Sequence, residues 1–258
     1  MILEARDLTV RLGGVSALAG VSFQVAPGTV TSLIGPNGAG KTTAFNVITG
    51  FQRPTQGTVR HDGEAITGWR PHRIAARGLV RTFQKTSVFG GLTVRENVLT
   101  GLHLRGRVGV AAALLARARV RAEEERLGGE ADRVIDFVGL GGRREELAGG
   151  LSYGDQRLLE LAVALAAGPR VLLLDEPASG MTASEKLAVA ALIARIREQG
   201  VTVFLVEHDM RLVMGISDRV LVLNYGRLIA DGDPAAVQRD PEVVRAYLGS
   251  GAGAHAGA

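Results

Sequence analysis

Residues 35–43 read Gly35-Pro36-Asn37-Gly38-Ala39-Gly40-Lys41-Thr42-Thr43. They sit between an apolar run, Val30 to Ile34, and a helical run over residues 42–49. Few short segments constrain a fold as strongly. Glycines at the first, fourth and sixth positions let backbone N–H groups turn inward around phosphate oxygens, where a Cβ would clash. The following helix N-terminus adds partial positive charge. Lys41 reaches the β and γ phosphates, and the Thr42 hydroxyl is placed to hold Mg²⁺. The chain has 35 glycines but only three lysines, Lys41, Lys85 and Lys186. A chance match to this spacing in a strand–loop–helix context is therefore rare. The loop predicts an α/β core with a buried parallel sheet and a nucleotide at its edge.

Two other segments fit that prediction. Val171-Leu172-Leu173-Leu174-Asp175-Glu176-Pro177 ends an apolar strand with two carboxylates, at the end of the sheet where ligands bind. Asp175 suits Mg²⁺, directly or through water. Glu176 points differently and suits polarisation of a water for attack on the γ-phosphate. Ser152-Tyr153-Gly154-Asp155-Gln156 opens a second helix with a buried apolar stripe of Leu158, Leu161, Ala162 and Leu165. Ser152 and the Gly154 amide either cap that helix or bind an anion there. One chain supplies one triphosphate loop, so a second anion-binding helix end suggests the nucleotide of another copy.

Composition narrows the alternatives. With 46% hydrophobic and 22% charged residues the 258-residue chain reads as globular. The absence of Cys excludes disulfides, thiolate metal centres and Cys nucleophiles. The net charge is +4, and the arginines are interleaved with glutamates, as at residues 121–126. That pattern is a solvated mixed surface with no nucleic-acid footprint. No stretch of about 18 apolar residues and no apolar leader appears.

Along the chain, strands are expected at residues 8–11, 21–25, 30–34, 57–60 and 79–83. A helical zone over 85–160 opens with Thr93 and Glu96 in a capping-box pattern. It continues through residues 110–138, with a break at Gly128-Gly129. The α/β pattern then returns: strands at 171–174 and 201–206, helices at 183–199 and 210–216, and a hairpin about Asn224-Tyr225-Gly226. Asp233-Pro234 and Asp240-Pro241 each mark a helix start. These readings divide the chain into a discontinuous nucleotide-binding core with a β subdomain (1–84 and 161–248), an inserted helical subdomain (85–160) and a disordered Gly/Ala tail (249–258).

The ordered set GPNGAGKTT, Gln84, LSYGDQ, VLLLDEP and His208 resembles the nucleotide-binding ATPase subunit of ABC transporters over about residues 3–248. The resemblance implies a P-loop NTPase core of ABC ATPase type, with an antiparallel β subdomain and an inserted helical subdomain. It implies ATP and Mg²⁺ as ligands, with Gln84 touching the ion and the attacking water. It implies that His208 contacts the γ-phosphate and holds Glu176. It further implies a head-to-tail dimer, in which two ATP molecules lie between the loop of one copy and the segment Ser152-Tyr153-Gly154-Asp155 of the other. Two positions depart from the family pattern. Leu12 stands where an aromatic usually stacks on the base, and Thr182 stands where Asp is common.

Arg81-Thr82-Phe83-Gln84, residues 92–98, Glu207-His208-Asp209-Met210 and Val222-Leu223-Asn224-Tyr225-Gly226 are similar to the ATP-binding subunits of branched-chain amino acid importers. The partners this implies are a second ATPase subunit, self or paralogue, and transmembrane permease subunits. A solute-binding protein is implied indirectly, and nucleic acid is not. The location implied is peripheral, on the cytoplasmic face of the inner membrane. Two alternatives are a soluble ABC ATPase acting on nucleic acid or ribosomes and the ATPase of a lipid or lipopolysaccharide exporter. The apolar pair Val88-Phe89 is expected either to pack in the core or to anchor a permease.

Overall fold

A computed structural model describes residues 1–82, 88–105 and 117–251. The chain divides into two compact units, one of Met1–Arg81, Arg170–Ser179 and Lys186 onward, the other of Thr82–Pro169 with Gly180–Glu185.

The first unit holds two sheets. One is antiparallel, with strands β1 (Leu3–Leu12), β2 (Val15–Val25), β4 (Gln56–His61) and β5 (Glu64–Ala65) in the order β2-β1-β4-β5. Strand β1 starts five residues earlier than expected. Its buried positions are Leu3 and Ala5, then Leu8 and Val10, so the two-residue period slips by one. The register shifts between Ala5 and Leu8, where Asp7 takes φ 50°. This bulge absorbs the extra residue and keeps one face buried.

The second sheet holds β3 (Val30–Ile34), β6 (Leu79–Arg81), β7 (Val171–Asp175), β8 (Thr202–Val206), β9 (Arg219–Asn224) and β10 (Arg227–Gly232). Their order is β10-β9-β3-β8-β7-β6, parallel except for the β9–β10 hairpin. Every residue of β3, β7 and β8 is buried, the polar Thr31, Ser32, Asp175 and Thr202 included, as expected of central parallel strands covered on both faces. Phe204 of β8 packs against Phe23 and Phe45 with ring centroids 5.5 and 5.1 Å apart. Around the sheets lie α1 (Lys41–Ile48) and α2 (Pro71–Ala75), with α6 (Ala183–Glu198), α7 (Met210–Ile216), α8 (Pro234–Arg239) and α9 (Pro241–Gly251) from later in the chain. Asp233 caps α8 from its side chain, with Pro234 in the first turn. Helix α9 reaches Gly251, so residues 249–251 are helical and not part of a disordered tail; residues 252–258 lie outside the described residues.

The second unit is helical: α3 (Val94–Gly101), α4 (Arg117–Val138) and α5 (Tyr153–Ala166). Thr93 closes the expected capping box, its Oγ1 accepting from Glu96 N at 3.1 Å while Glu96 Oε2 accepts from Thr93 N at 2.7 Å. The expected break at Gly128-Gly129 is absent, because α4 runs straight through it. A Cβ on Gly128 would collide with the Arg95 guanidinium. Arg95 crosses there to reach Asp132 at 3.0 Å. Glycine weakens a helix by about 1 kcal/mol against Ala, and here it gives room for a cross-helix ion pair. Among the described residues, no helix is long and apolar enough to cross a membrane.

Candidate active site

Three neighbouring strand ends build the site. β8 lies between β3 and β7, with Val206 paired to Leu33 on one side and Asp175 on the other. Beyond β3 comes the loop of residues 35–40, beyond β7 comes Glu176, and beyond β8 come Glu207 and His208. All three leave the same edge of a parallel sheet, where partial charges and side chains converge.

The loop is shaped by glycine at the positions that need it. Gly35 and Gly40 have φ of 149° and 106°. A Cβ on Gly35 would strike Leu223 O, and one on Gly40 would lie 2.5 Å from Ala17 O. Helix α1 starts at Gly40 with no side-chain cap and no acidic residue in its first turn. Its leading N–H groups are thus presented to an anion. Lys41 Nζ donates to Gly35 O at 2.6 Å and to Pro36 O at 3.0 Å, folding its ammonium back over the loop. Burial lowers the Lys41 pKa below the usual lysine value, against the attraction of Glu176 and Asp175, which raises it. The ammonium is held at a desolvation cost that a bound polyphosphate would offset.

Asp175 and Glu176 occupy different settings, as their positions suggested. Asp175 is in the sheet, and its Oδ2 accepts from Arg81 Nη2 at 2.6 Å. Glu176 takes a left-handed backbone, φ 51°, and its N–H donates to Val206 O at 2.9 Å. That turn swings its side chain out of the strand's alternation. His208 is 60% exposed, with Nδ1 at 4.0 Å from Glu176 Oε2 and 3.8 Å from Glu207 Oε2. The structure thus brings Lys41, Asp175, Glu176 and His208 to one edge. Gln84 and Lys85 lie outside the described residues.

Two residues of this edge were not assigned from the sequence. Glu207 is 1% exposed and accepts from three backbone N–H groups: Ala178 and His208, each at 3.0 Å, and Asp209 at 3.4 Å. It ties the segment after Glu176 to the segment that bears His208. Arg81, at the end of β6, is the buried partner of Asp175. A carboxylate directly after the apolar run Val203 to Val206 was the available signal for Glu207. Nothing in the sequence spacing pairs Arg81 with a residue 94 positions away.

The donor set suits Mg²⁺. Asp175 Oδ2 is engaged by Arg81, and Thr42, at the first turn of α1, is exposed. Mg²⁺ keeps several waters and is commonly held by one or two protein oxygens together with substrate phosphates.

In the second unit, Ser152 caps α5. Its Oγ accepts from Asp155 N at 3.1 Å and donates to Asp155 Oδ2 at 2.6 Å. Arg143 approaches the same carboxylate at 3.4 Å. Tyr153 OH accepts from Arg157 at 2.8 and 3.1 Å, with the guanidinium 5.2 Å from its ring centroid. Gly154 is buried against Glu185, which accepts from Thr182 N at 2.8 Å and from Thr182 Oγ1 at 2.7 Å. Thr182, where the family commonly has Asp, also accepts from Glu185 N at 3.4 Å through its Oγ1, a reciprocal pair at the start of α6. Phe89 is 57% exposed, while its backbone N–H and C=O are both bonded to the Asn97 side chain, at 2.8 and 3.0 Å. It is presented to solvent from a braced loop rather than packed in the core.

Residues 18–179 match the family described as ABC transporter, and residues 227–253 match that described as branched-chain amino acid ATP-binding cassette transporter. The chain is 45% identical to the high-affinity branched-chain amino acid transport ATP-binding protein BraF of Pseudomonas aeruginosa, covering 96% of this chain and 98% of BraF. It is 41% identical to the corresponding protein LivG of Escherichia coli K12, with the same coverage. Among solved structures, the ADP conformation of MJ1267, an ATP-binding cassette of an ABC transporter, aligns with a TM-score of 0.84 at 32% identity, over 96% of this chain and 98% of that one. A nucleotide-free cassette from an ABC transporter aligns at 0.82, also with 32% identity, over 95% and 98%. With this fold, and with a phosphate-type loop and a carboxylate pair at one sheet edge, the chain belongs to the ABC transporter family as a nucleotide-binding ATPase subunit.

Proposed function

We propose that this chain hydrolyses ATP to drive a branched-chain amino acid importer. The observation that carries the reading is the convergence of Lys41, Asp175, Glu176 and His208 on three adjacent strand ends. The match over residues 227–253 and the names of the relatives favour a branched-chain amino acid importer over a lipid exporter or a soluble ABC ATPase.

In this reading the residue 35–43 loop holds the β and γ phosphates through its N–H groups and Lys41. Thr42, Asp175 and Gln84 would hold Mg²⁺, which when bound would neutralise charge at the phosphate oxygens. Glu176 accepts the proton of a water as its oxygen bonds to the γ-phosphorus. The bond from that phosphorus to the bridging β-phosphate oxygen breaks, releasing ADP. His208 orients Glu176 and the γ-phosphate, and Glu207 fixes the backbone on which His208 stands. The segment Ser152-Tyr153-Gly154-Asp155 contacts the γ-phosphate held by a second cassette, self or paralogue, so closure of the pair depends on ATP. Opening after hydrolysis moves permease subunits, which receive solute from a solute-binding protein. The chain then works peripherally on the cytoplasmic face of the membrane.

Co-expression with permease subunits of a branched-chain amino acid importer tests this. The chain is expected to sediment with membranes only when the permease is present, and to confer ATP-dependent uptake of leucine, isoleucine or valine. Membrane association without a permease, or uptake that ignores the Lys41→Ala change, would contradict it.

A further inference from the structure

Arg81 joins three elements. It ends β6 beside β7, with Arg81 registered to Leu173. Its Nη2 donates to Asp175 Oδ2 at 2.6 Å, and its Nη1 donates to Asn46 Oδ1 of α1 at 2.7 Å. Its guanidinium carbon lies 5.5 Å from the Phe45 ring centroid. The Arg81 and Asp175 side chains are each only 5% exposed. A planar fork suits this better than a lysine, because it bonds two oxygens on different elements at fixed angles.

The consequence is electrostatic. At the end of β7 the charges of Asp175 and Glu176 face those of Lys41 and Arg81, two against two. Glu207 is turned onto backbone N–H groups. The guanidinium lies against the carboxylate that the ion would use, so Asp175 is already partnered before a divalent cation arrives. A triphosphate reverses that balance by bringing several negative charges of its own. Taking the Proposed function as its basis, we propose that Arg81 is a resident counter-ion and positioning residue for Asp175. It keeps this carboxylate neutralised and aimed while the site is without nucleotide, so that the divalent ion enters only together with the phosphates.

The test uses the full chain without nucleotide. Mn²⁺ binding is read by electron paramagnetic resonance, and thermal midpoints are measured with and without Mg²⁺. The parent is expected to bind Mn²⁺ at least tenfold more weakly than Arg81→Met, in which a buried carboxylate has lost its cation. Mg²⁺ at tenfold the variant's Kd is expected to raise the midpoint of Arg81→Met by roughly 3–6 °C and to leave the parent unchanged. Adding Asp175→Asn to Arg81→Met should abolish that response. Arg81→Lys keeps the charge and should restore weak binding, which a purely structural role would not do.

Parent protein that binds Mn²⁺ alone more tightly than about 0.1 mM, within the range of genuine protein cation sites, overturns the proposal. So does a folded Arg81→Met with no metal response. Should Arg81→Met not fold, the parent and Arg81→Lys decide: tight metal binding by either sinks the idea, and millimolar or weaker binding by both upholds it. Failure of the parent to bind Mg·ATP at all would instead refute the underlying phosphate-site reading.

Discussion

Replacing Lys41 with Ala removes the one full positive charge on the phosphate loop. In the structure its ammonium bonds Gly35 O and Pro36 O, and it sits over the cradle in a largely buried position. A hydrogen bond between charged groups contributes about 1.5–3 kcal/mol. At 1.4 kcal/mol per factor of ten, one such bond to the phosphates corresponds to a loss of roughly 10- to 100-fold in ATP affinity. The fold should survive. Ala39 N still donates to Pro36 O and Ala44 N to Gly40 O, and a desolvated charge disappears with the side chain. Calorimetric titration with ATP and a thermal melt separate the two effects. The lowered Lys41 pKa adds a pH signature. Bound phosphate raises that pKa again, so ATP binding takes up a proton at alkaline pH. Affinity is then constant below the nucleotide-free pKa and falls as pH rises through it. Lys41→Arg removes this fall. ATP affinity within twofold of the parent in Lys41→Ala, or the same alkaline fall in Lys41→Arg, would refute the reasoning.

Leu12 is 53% exposed at the end of β1 and offers no ring to a base. Because base–aromatic stacking is worth about 1–3 kcal/mol, GTP should compete with ATP within about tenfold in the parent. Leu12→Tyr should tighten ATP binding by about that factor, and a hundredfold ATP preference in the parent would show that another group supplies the platform. Phe89→Ala should leave ATP affinity and the melt unchanged, since the Asn97 brace holds the backbone, while weakening assembly with the permease or the ATPase activity coupled to it. Normal assembly and transport would place the coupling surface elsewhere.

The parts of the fold that were legible in the sequence are those written locally. The loop glycines, the mostly apolar strands β3, β7 and β8, and the Thr93–Glu96 box each declare a conformation within a few residues. The double glycine in α4 does not break the helix; Gly128 gives room to Arg95 from another helix, and nothing in the structure explains Gly129. Strand β1 was read short because the bulge at Asp7 breaks the two-residue period. Lys41, Asp175, Glu176 and His208, which lie at one sheet edge, are the residues that spacing and family likeness single out. Arg81 was not assigned, because its pairing with Asp175 depends on strand order, β6 beside β7; Glu207 was not assigned, because what it bonds depends on β8 lying beside β7. That order is a tertiary outcome and leaves no trace in a linear pattern.

The central claim is that Glu176 accepts the proton of the attacking water at a site that binds ATP without it. Single-turnover hydrolysis of pre-bound ATP by Glu176→Gln is the most direct test. The exchange keeps the size and hydrogen-bonding shape of the side chain and removes the basic oxygen. Retained ATP binding with hydrolysis slowed by about 10²- to 10⁴-fold, the usual contribution of a positioned base, is the predicted result. Hydrolysis within about fivefold of the parent, far short of that range, would contradict the account.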